Sequence, residues 1–149
     1  MKERYELLIQ QLDALFEGES DQITILSNAS ALLFHNLDNL NWAGFYLYKN
    51  SELILGPFQG KVACMHIPLN KGVCGKAAST REIQCIENVH DFPGHIACDG
   101  ASNSEIVVPI VIDNELFGVL DIDSFEFSNF NEIDVTYLGL FIEHLIKYL

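Results

Sequence analysis

Hydrophobic positions recur at helical spacing at the start of the chain. Tyr5, Leu8, Leu12, Leu15 and Phe16 fall on one side of residues 2–16, which predicts an amphipathic helix. Gly18-Glu19-Ser20 interrupts it, and Ser20 or Asp21 can cap a second helix by accepting from its free N–H groups. In that helix Ile25, Leu26, Ala29, Leu32 and Leu33 share a face, and the polar run Asn36 to Asn39 closes it. The pattern then changes. Asn41-Trp42-Ala43-Gly44-Phe45-Tyr46-Leu47-Tyr48 predicts an aromatic-rich strand, Lys49-Asn50-Ser51 a turn, and Glu52 to Leu55 the returning strand. A further strand is expected over 63–69, a short helix over 73–80 and a short strand over 84–87. Residues 88–104 are polar and turn-rich, with Pro93, Gly94 and Gly100. A loop of that length without a periodic pattern is uncommon and often functional. Two β-rich runs, 105–112 and 115–122, flank the hairpin signal Asp113-Asn114. From about Asn131 to Leu149 the helical period returns, with Ile133, Leu138, Phe141, Ile142 and Leu145 as its buried stripe.

Two helices, strands, a short helix, more strands and a closing helix make an α+β pattern. The hairpins make the sheet largely antiparallel. Amphipathic terminal helices can pack together on one sheet face, which leaves the opposite face and its loops to form a pocket. The 149 residues are read as one domain over 1–149, with no repeat, low-complexity tract or linker. A chain of this size buries most of its apolar surface without a metal or disulfide staple.

Hydrophobic residues make up 49% of the chain, which excludes wholesale disorder. No apolar run reaches the roughly 18 residues of a membrane span. Met1-Lys2-Glu3-Arg4-Tyr5 lacks the apolar stretch of a secretory signal, so cytoplasmic residence is expected. The formal net charge of −13 repels phosphate backbones and anionic lipid, and neither nucleic acid nor membrane is an expected partner. A small cation, or a zwitterion held by its ammonium group, suits the charge better. Most of the acidic surface is read as a solubility device.

Cys64, Cys74, Cys85 and Cys98 are the chain's cysteines. A cytoplasmic domain of ordinary core size has little use for structural disulfides, which leaves buried thiols, a metal site or redox chemistry. Cys98 lies in a polar loop between His95 and Asp99. A reactive thiol needs partial exposure and nearby donors or positive charge, which His90 and His95 can supply. A buried structural thiol is the equal alternative on composition alone. Cys64 and Cys74 follow glycine-containing turns and, taken singly, read as buried free thiols; Cys85 in Ile83-Gln84-Cys85-Ile86 reads as a packing residue. There is no Cys-x-x-Cys pair and no familiar ligand spacing, so no metal site is read here. Asp121 and Asp123 are two apart on an expected strand and point to one face, with Leu120 and Ile122 on the other. Glu105 begins the neighbouring strand. Crowded carboxylates are costly unless a cation or a shared proton compensates. They suit an ammonium ligand, and one can stay protonated as an acid. An ordinary solvated strand face is the plainer alternative.

Taken together, these stretches resemble the free methionine-(R)-sulfoxide reductase family over nearly the whole chain, from Asn41-Trp42-Ala43-Gly44-Phe45-Tyr46 to Asp121-Ile122-Asp123-Ser124. The most specific pieces are Phe92-Pro93-Gly94-His95-Ile96-Ala97-Cys98-Asp99 and Ser104-Glu105-Ile106-Val107-Val108-Pro109; Gly72-Val73-Cys74-Gly75 alone is weak. The resemblance implies a GAF-like fold, with a central antiparallel sheet, N- and C-terminal helices on one face and the ligand pocket on the other. It implies reduction of the R epimer of free methionine sulfoxide. It further implies Cys98 as nucleophile, Cys64 as resolving thiol and Cys74 as the third family cysteine, with Trp42, Glu105, Asp121 and Asp123 as substrate ligands. No bound cofactor is implied; thioredoxin is the implied external reductant, and a homodimer through terminal helices is compatible. Cys85 is an addition to the pattern. The rival reading is a GAF domain that binds and senses a small molecule without catalysis, since fold does not fix function. Against it stand the loop thiol, the carboxylates and the absence of an output domain from the sequence.

Overall fold

The computed structural model describes residues 1–96 and 98–149. Ala97, within the loop motif, lies outside the described residues. The elements run α1 (Lys2–Phe16), α2 (Gln22–Asn36), β1 (Leu40–Lys49), β2 (Glu52–Gly60), β3 (His66–Pro68), α3 (Gly72–Thr80), β4 (Gln84–Ile86), a 3-10 turn (Val89–Asp91), β5 (Ser104–Ile112), β6 (Glu115–Ser124) and α4 (Glu132–Ile146). One six-stranded sheet has the order β3-β2-β1-β6-β5-β4, and its pairings are antiparallel. Among the described residues no helix is long and apolar enough to cross a membrane.

Local chemistry explains the two tight hairpins. Asn50 and Ser51 between β1 and β2, and Asp113 and Asn114 between β5 and β6, all have positive φ. Two consecutive left-handed residues match the twist of the flanking strands, and Asn and Asp tolerate that conformation best after glycine. Asp21 caps α2 by accepting from the Thr24 N–H at 3.0 Å.

The sheet has two buried faces, built by strand alternation. Ala43, Phe45 and Leu47 of β1 join Ile106, Val108, Leu120 and Ile122 under α1, α2 and α4, forming the main core. Trp42 and Tyr46 face the other way and pack with Val107, Val119, Val73, Cys74 and Ala77, the last three from α3. The α+β, GAF-like arrangement expected from the sequence is therefore present, with α3 on the pocket side.

Several local expectations change. In α1, Leu15 is 49% exposed and Ile9 takes the inward place, because Leu15 lies at the edge of the stripe centred on Tyr5, Leu12 and Phe16. In α4, Ile133 is 40% exposed and Asp134 is buried. Asp134 turns inward because three hydrogen bonds to two residues hold it. It accepts from the Asn131 N–H at 2.8 Å and from the Tyr5 hydroxyl at 2.6 Å, while its own N–H donates to Asn131 in a capping box. β2 runs past Gly56-Pro57 to Gly60, where the sequence suggests an end at Leu55. Its register against β1 shifts between Gly44 and Tyr46, placing an extra residue on β2, and such a bulge accommodates a proline that cannot donate to the ladder. β3 is shorter than the expected 63–69. The reason is that residues 61–64 leave the ladder, with Val62 and Ala63 lining the pocket.

Candidate active site

The pocket lies between the β1–β6–β5 wall, the N-terminal end of α3 and two loops, 61–65 and 92–103. Trp42, Tyr46, Cys74, His95, Cys98, Glu105, Asp121 and Asp123 are among the residues that line it. Strand register assembles the wall. Asp123 sits opposite Trp42 on one side and Glu105 on the other; Asp121 sits opposite Gly44 and Val107. The shared face read from the spacing of the two aspartates is thus present, and neighbouring strands add Glu105 and Trp42 to it.

Each loop is tied down by β1. Trp42 Nε1 donates to the Lys61 carbonyl at 3.2 Å, and the Tyr46 hydroxyl donates to the Cys64 carbonyl at 2.9 Å. Trp42 stacks between Phe58 at 5.1 Å and Tyr46 at 5.8 Å, ring centroid to centroid, which fixes its plane. On the other loop, Asn41 Nδ2 donates to Asp99 Oδ2 at 3.0 Å and to Ser102 Oγ at 2.9 Å. The Gly72 N–H donates to the Gly94 carbonyl at 3.2 Å, joining α3 to the same loop. A disulfide between Cys64 and Cys98 then bridges the two loops, with Cα atoms 5.5 Å apart. That separation is ordinary for a disulfide. Cys74 is free and buried, and Cys85 is free and half-buried. Cys85 lies outside the pocket against the main core, where its thiol approaches the Phe130 carbonyl at 3.6 Å.

Burial dominates the electrostatics. Glu105 and Asp121 are each only 6% exposed. Desolvation pushes the Glu105 carboxyl well above its ordinary range, and the charges of Asp121 and Asp123 push it further. Asp123 is half-buried and is raised by desolvation and by the charge of Asp121. Desolvation also raises Asp121, opposed by hydrogen bonds from Glu105 and Cys74. Burial first, then the three carboxylates, drives the Cys74 thiol up, so it is held as the neutral SH. Burial and His90 lower His95. One Asp121 oxygen, Oδ1, is buried with no hydrogen-bond partner among the described residues. A wall of this kind invites a proton or a cation.

On sequence grounds His90 and His95 are both candidate donors to Cys98. Only His95 lines the pocket; His90 Nε2 pairs with Asn103 Oδ1 at 2.8 Å. Tyr46 and Asn41 join the site in addition to the residues expected from the sequence. Tyr46 had a legible signal, since it shares strand parity with Trp42. Asn41 had none, because its partners lie 58 and 61 residues away.

The arrangement offers a disulfide-linked cysteine pair with Cys98 lining the pocket, an aromatic side wall and a set of clustered carboxyls. A family model described as GAF domain matches residues 24–145. The chain is 50% identical to the free methionine-R-sulfoxide reductase of Escherichia coli, over 99% of this chain and 89% of that one. It is 54% identical to protein YtsP of Bacillus subtilis, over 96% and 89%. A Staphylococcus aureus structure described as fRMsr in complex with substrate superposes with a TM-score of 0.93 at 52% identity, covering 97% of this chain and 95% of that one.

Proposed function

The chain belongs to the free methionine-R-sulfoxide reductase family of GAF domains, and from that premise we propose that it reduces free L-methionine-(R)-sulfoxide to methionine through Cys98, Cys64 and the carboxylate wall. The observation that carries this reading is the Cys64–Cys98 bond, whose Cys98 end lines the same pocket as Glu105, Asp121 and Asp123. A passive sensor has no need of a thiol pair there.

In the reduced enzyme the Cys98 thiolate attacks the sulfoxide sulfur. A carboxyl of the wall protonates the departing oxygen; three such groups on one buried wall do not all ionise together, so a proton is at hand. The thioether leaves as methionine and the oxygen ends on Cys98 as a sulfenic acid. The Cys64 thiol displaces that oxygen as water and forms the disulfide. A dithiol protein, thioredoxin, reduces the bond by exchange and is itself oxidised to a disulfide. Trp42 supports the methyl and sulfur of the substrate with its ring face. Cys74, kept neutral, forms part of the floor.

The acidic wall also accounts for a preference for the free amino acid. Its α-ammonium compensates the buried carboxylates, whereas a peptide nitrogen is a neutral amide and leaves buried charge unpaired at heavy cost. Turnover with each purified epimer, free and peptide-bound, with dithiothreitol as reductant, tests the reading. Methionine should appear from the free R epimer alone. No turnover with either free epimer overturns it and favours the sensor.

A further inference from the structure

The floor of the pocket has a member that an ammonium ligand does not require. Cys74 Sγ lies 3.9 Å from Glu105 Oε2, and one ligand atom each from Cys74, Glu105 and Asp121 come within 4.8 Å of one another. Cys74 is 5% exposed and the two carboxylates 6% each. Asp121 Oδ1, in the pocket that Asp121 lines, is buried without a hydrogen-bond partner among the described residues. Oxygen acceptors alone satisfy an ammonium group, and a thiol is a weak acceptor. One sulfur and two carboxylate oxygens converging from α3, β5 and β6 instead form a donor set for a borderline-soft divalent cation.

We propose that Cys74, Glu105 and Asp121 bind a zinc-class divalent cation, which occupies the place of the substrate's ammonium group and thereby inhibits the enzyme. Zn–S and Zn–O bonds of about 2.3 and 2.1 Å put ligand atoms of a tetrahedral site roughly 3.3–3.8 Å apart. Modest rotation of these side chains closes the observed span. Asp123, on the same wall, or a water completes four-coordination. As the Zn–S bond forms, the Cys74 S–H proton passes to solvent, and nothing is oxidised. The sequence spacing hides such a site because its donors come from three separate elements. The competitive part of the proposal rests on the function assigned above; the metal site does not.

Cobalt(II) is a suitable probe, since thiolate ligation gives a near-ultraviolet charge-transfer band and tetrahedral geometry gives intense visible bands. The protein carrying the Cys64–Cys98 disulfide leaves only Cys74 and Cys85 free. Titration of that form should give both features at one ion per chain, and zinc should bleach them. Cys74→Ser should abolish the charge-transfer band, Cys85→Ser should leave it, and Glu105→Gln should weaken binding tenfold or more without depending on a cysteine change. No cobalt bound at millimolar concentration, a band that follows Cys85, or affinity unchanged in Glu105→Gln overturns the site. A Cys64→Ser/Cys98→Ser double variant tests the competition: the free R sulfoxide should raise the apparent cobalt Kd in proportion to its concentration. Cobalt binding untouched by sulfoxide would sink the proposed substrate pocket and leave the metal site standing. Reductase turnover without cobalt binding does the reverse.

Discussion

Cys64 and Cys98 differ in how they are held. The Cys64 backbone is gripped by the Tyr46 hydroxyl at 2.9 Å, whereas Cys98 precedes Asp99, whose carboxylate is set by Asn41 and by the Ala101 N–H. The nucleophile assignment predicts that reduced Cys98→Ser releases no methionine even in a single turnover; one equivalent released would refute it. Removing Cys64 should spare that first equivalent but impair recycling by thioredoxin. Peptide mapping gives a second check, because a dominant Cys74–Cys98 bridge after oxidation would exchange the roles of Cys64 and Cys74. Tyr46→Phe removes one hydrogen bond, of roughly 0.5–1.5 kcal/mol, from the Cys64 arch. It should slow disulfide formation more than methionine release, in stopped-flow measurements of the two steps. The carboxylates make a further prediction. Asp121→Asn, Asp123→Asn and Glu105→Gln keep size but remove charge. Loss of a charge-assisted partner of about 1.5–3 kcal/mol lowers kcat/KM by roughly ten- to a hundredfold or more. The proton donor should mainly lower kcat and the ammonium ligands mainly raise KM. Because a crowded, buried carboxyl is destabilising without substrate, Glu105→Gln should also raise the apo melting temperature by roughly 2–4 °C, as for a gain of about 1 kcal/mol. Near-normal kinetics in all three variants would return the wall to an ordinary strand face.

At the level of elements, periodicity was readable wherever one neighbour decided burial. α2 and α3 each bury one face on the sheet, and β1 and the β5–β6 hairpin alternate between its two buried faces, so near neighbours decide their burial. It was not readable where a distant polar partner decided. Asp134 displaces Ile133 from the interior only because Tyr5, in α1, donates to it. β2 passes through Gly56-Pro57 only because β1 pairs with a bulge there. Residues 61–64 leave the sheet where Trp42 and Tyr46 bond the Lys61 and Cys64 carbonyls, an arrangement no local pattern encodes. The α4 cap gives a testable consequence of the same kind. Asn131→Ala removes the side-chain acceptor for the Ile133 and Asp134 N–H groups, at about 1 kcal/mol. Chemical denaturation should show that loss with the denaturant slope unchanged, and kcat should be unaltered because the cap lies on the face away from the pocket.

For the whole molecule, one sheet serves two faces, a dry core under α1, α2 and α4 and a charged pocket under α3. The bond between Cys64 and Cys98 encloses a segment of sequence separation 34, which includes α3 and β4. In the chain-entropy account a closed loop of that length removes roughly 3.8 kcal/mol of disorder from the unfolded chain. For a chain of this size that corresponds to a melting temperature roughly 8–15 °C higher for the oxidised form. On the proposed mechanism each turnover would carry the molecule between a tougher and a softer state, the softer being the reduced form that meets substrate. Paired thermal melts with and without reductant should show the gap, and Cys64→Ser should erase it. Starved of reductant, a population of this enzyme would accumulate in its heat-resistant form, so its melting curve is a gauge of the thiol supply around it.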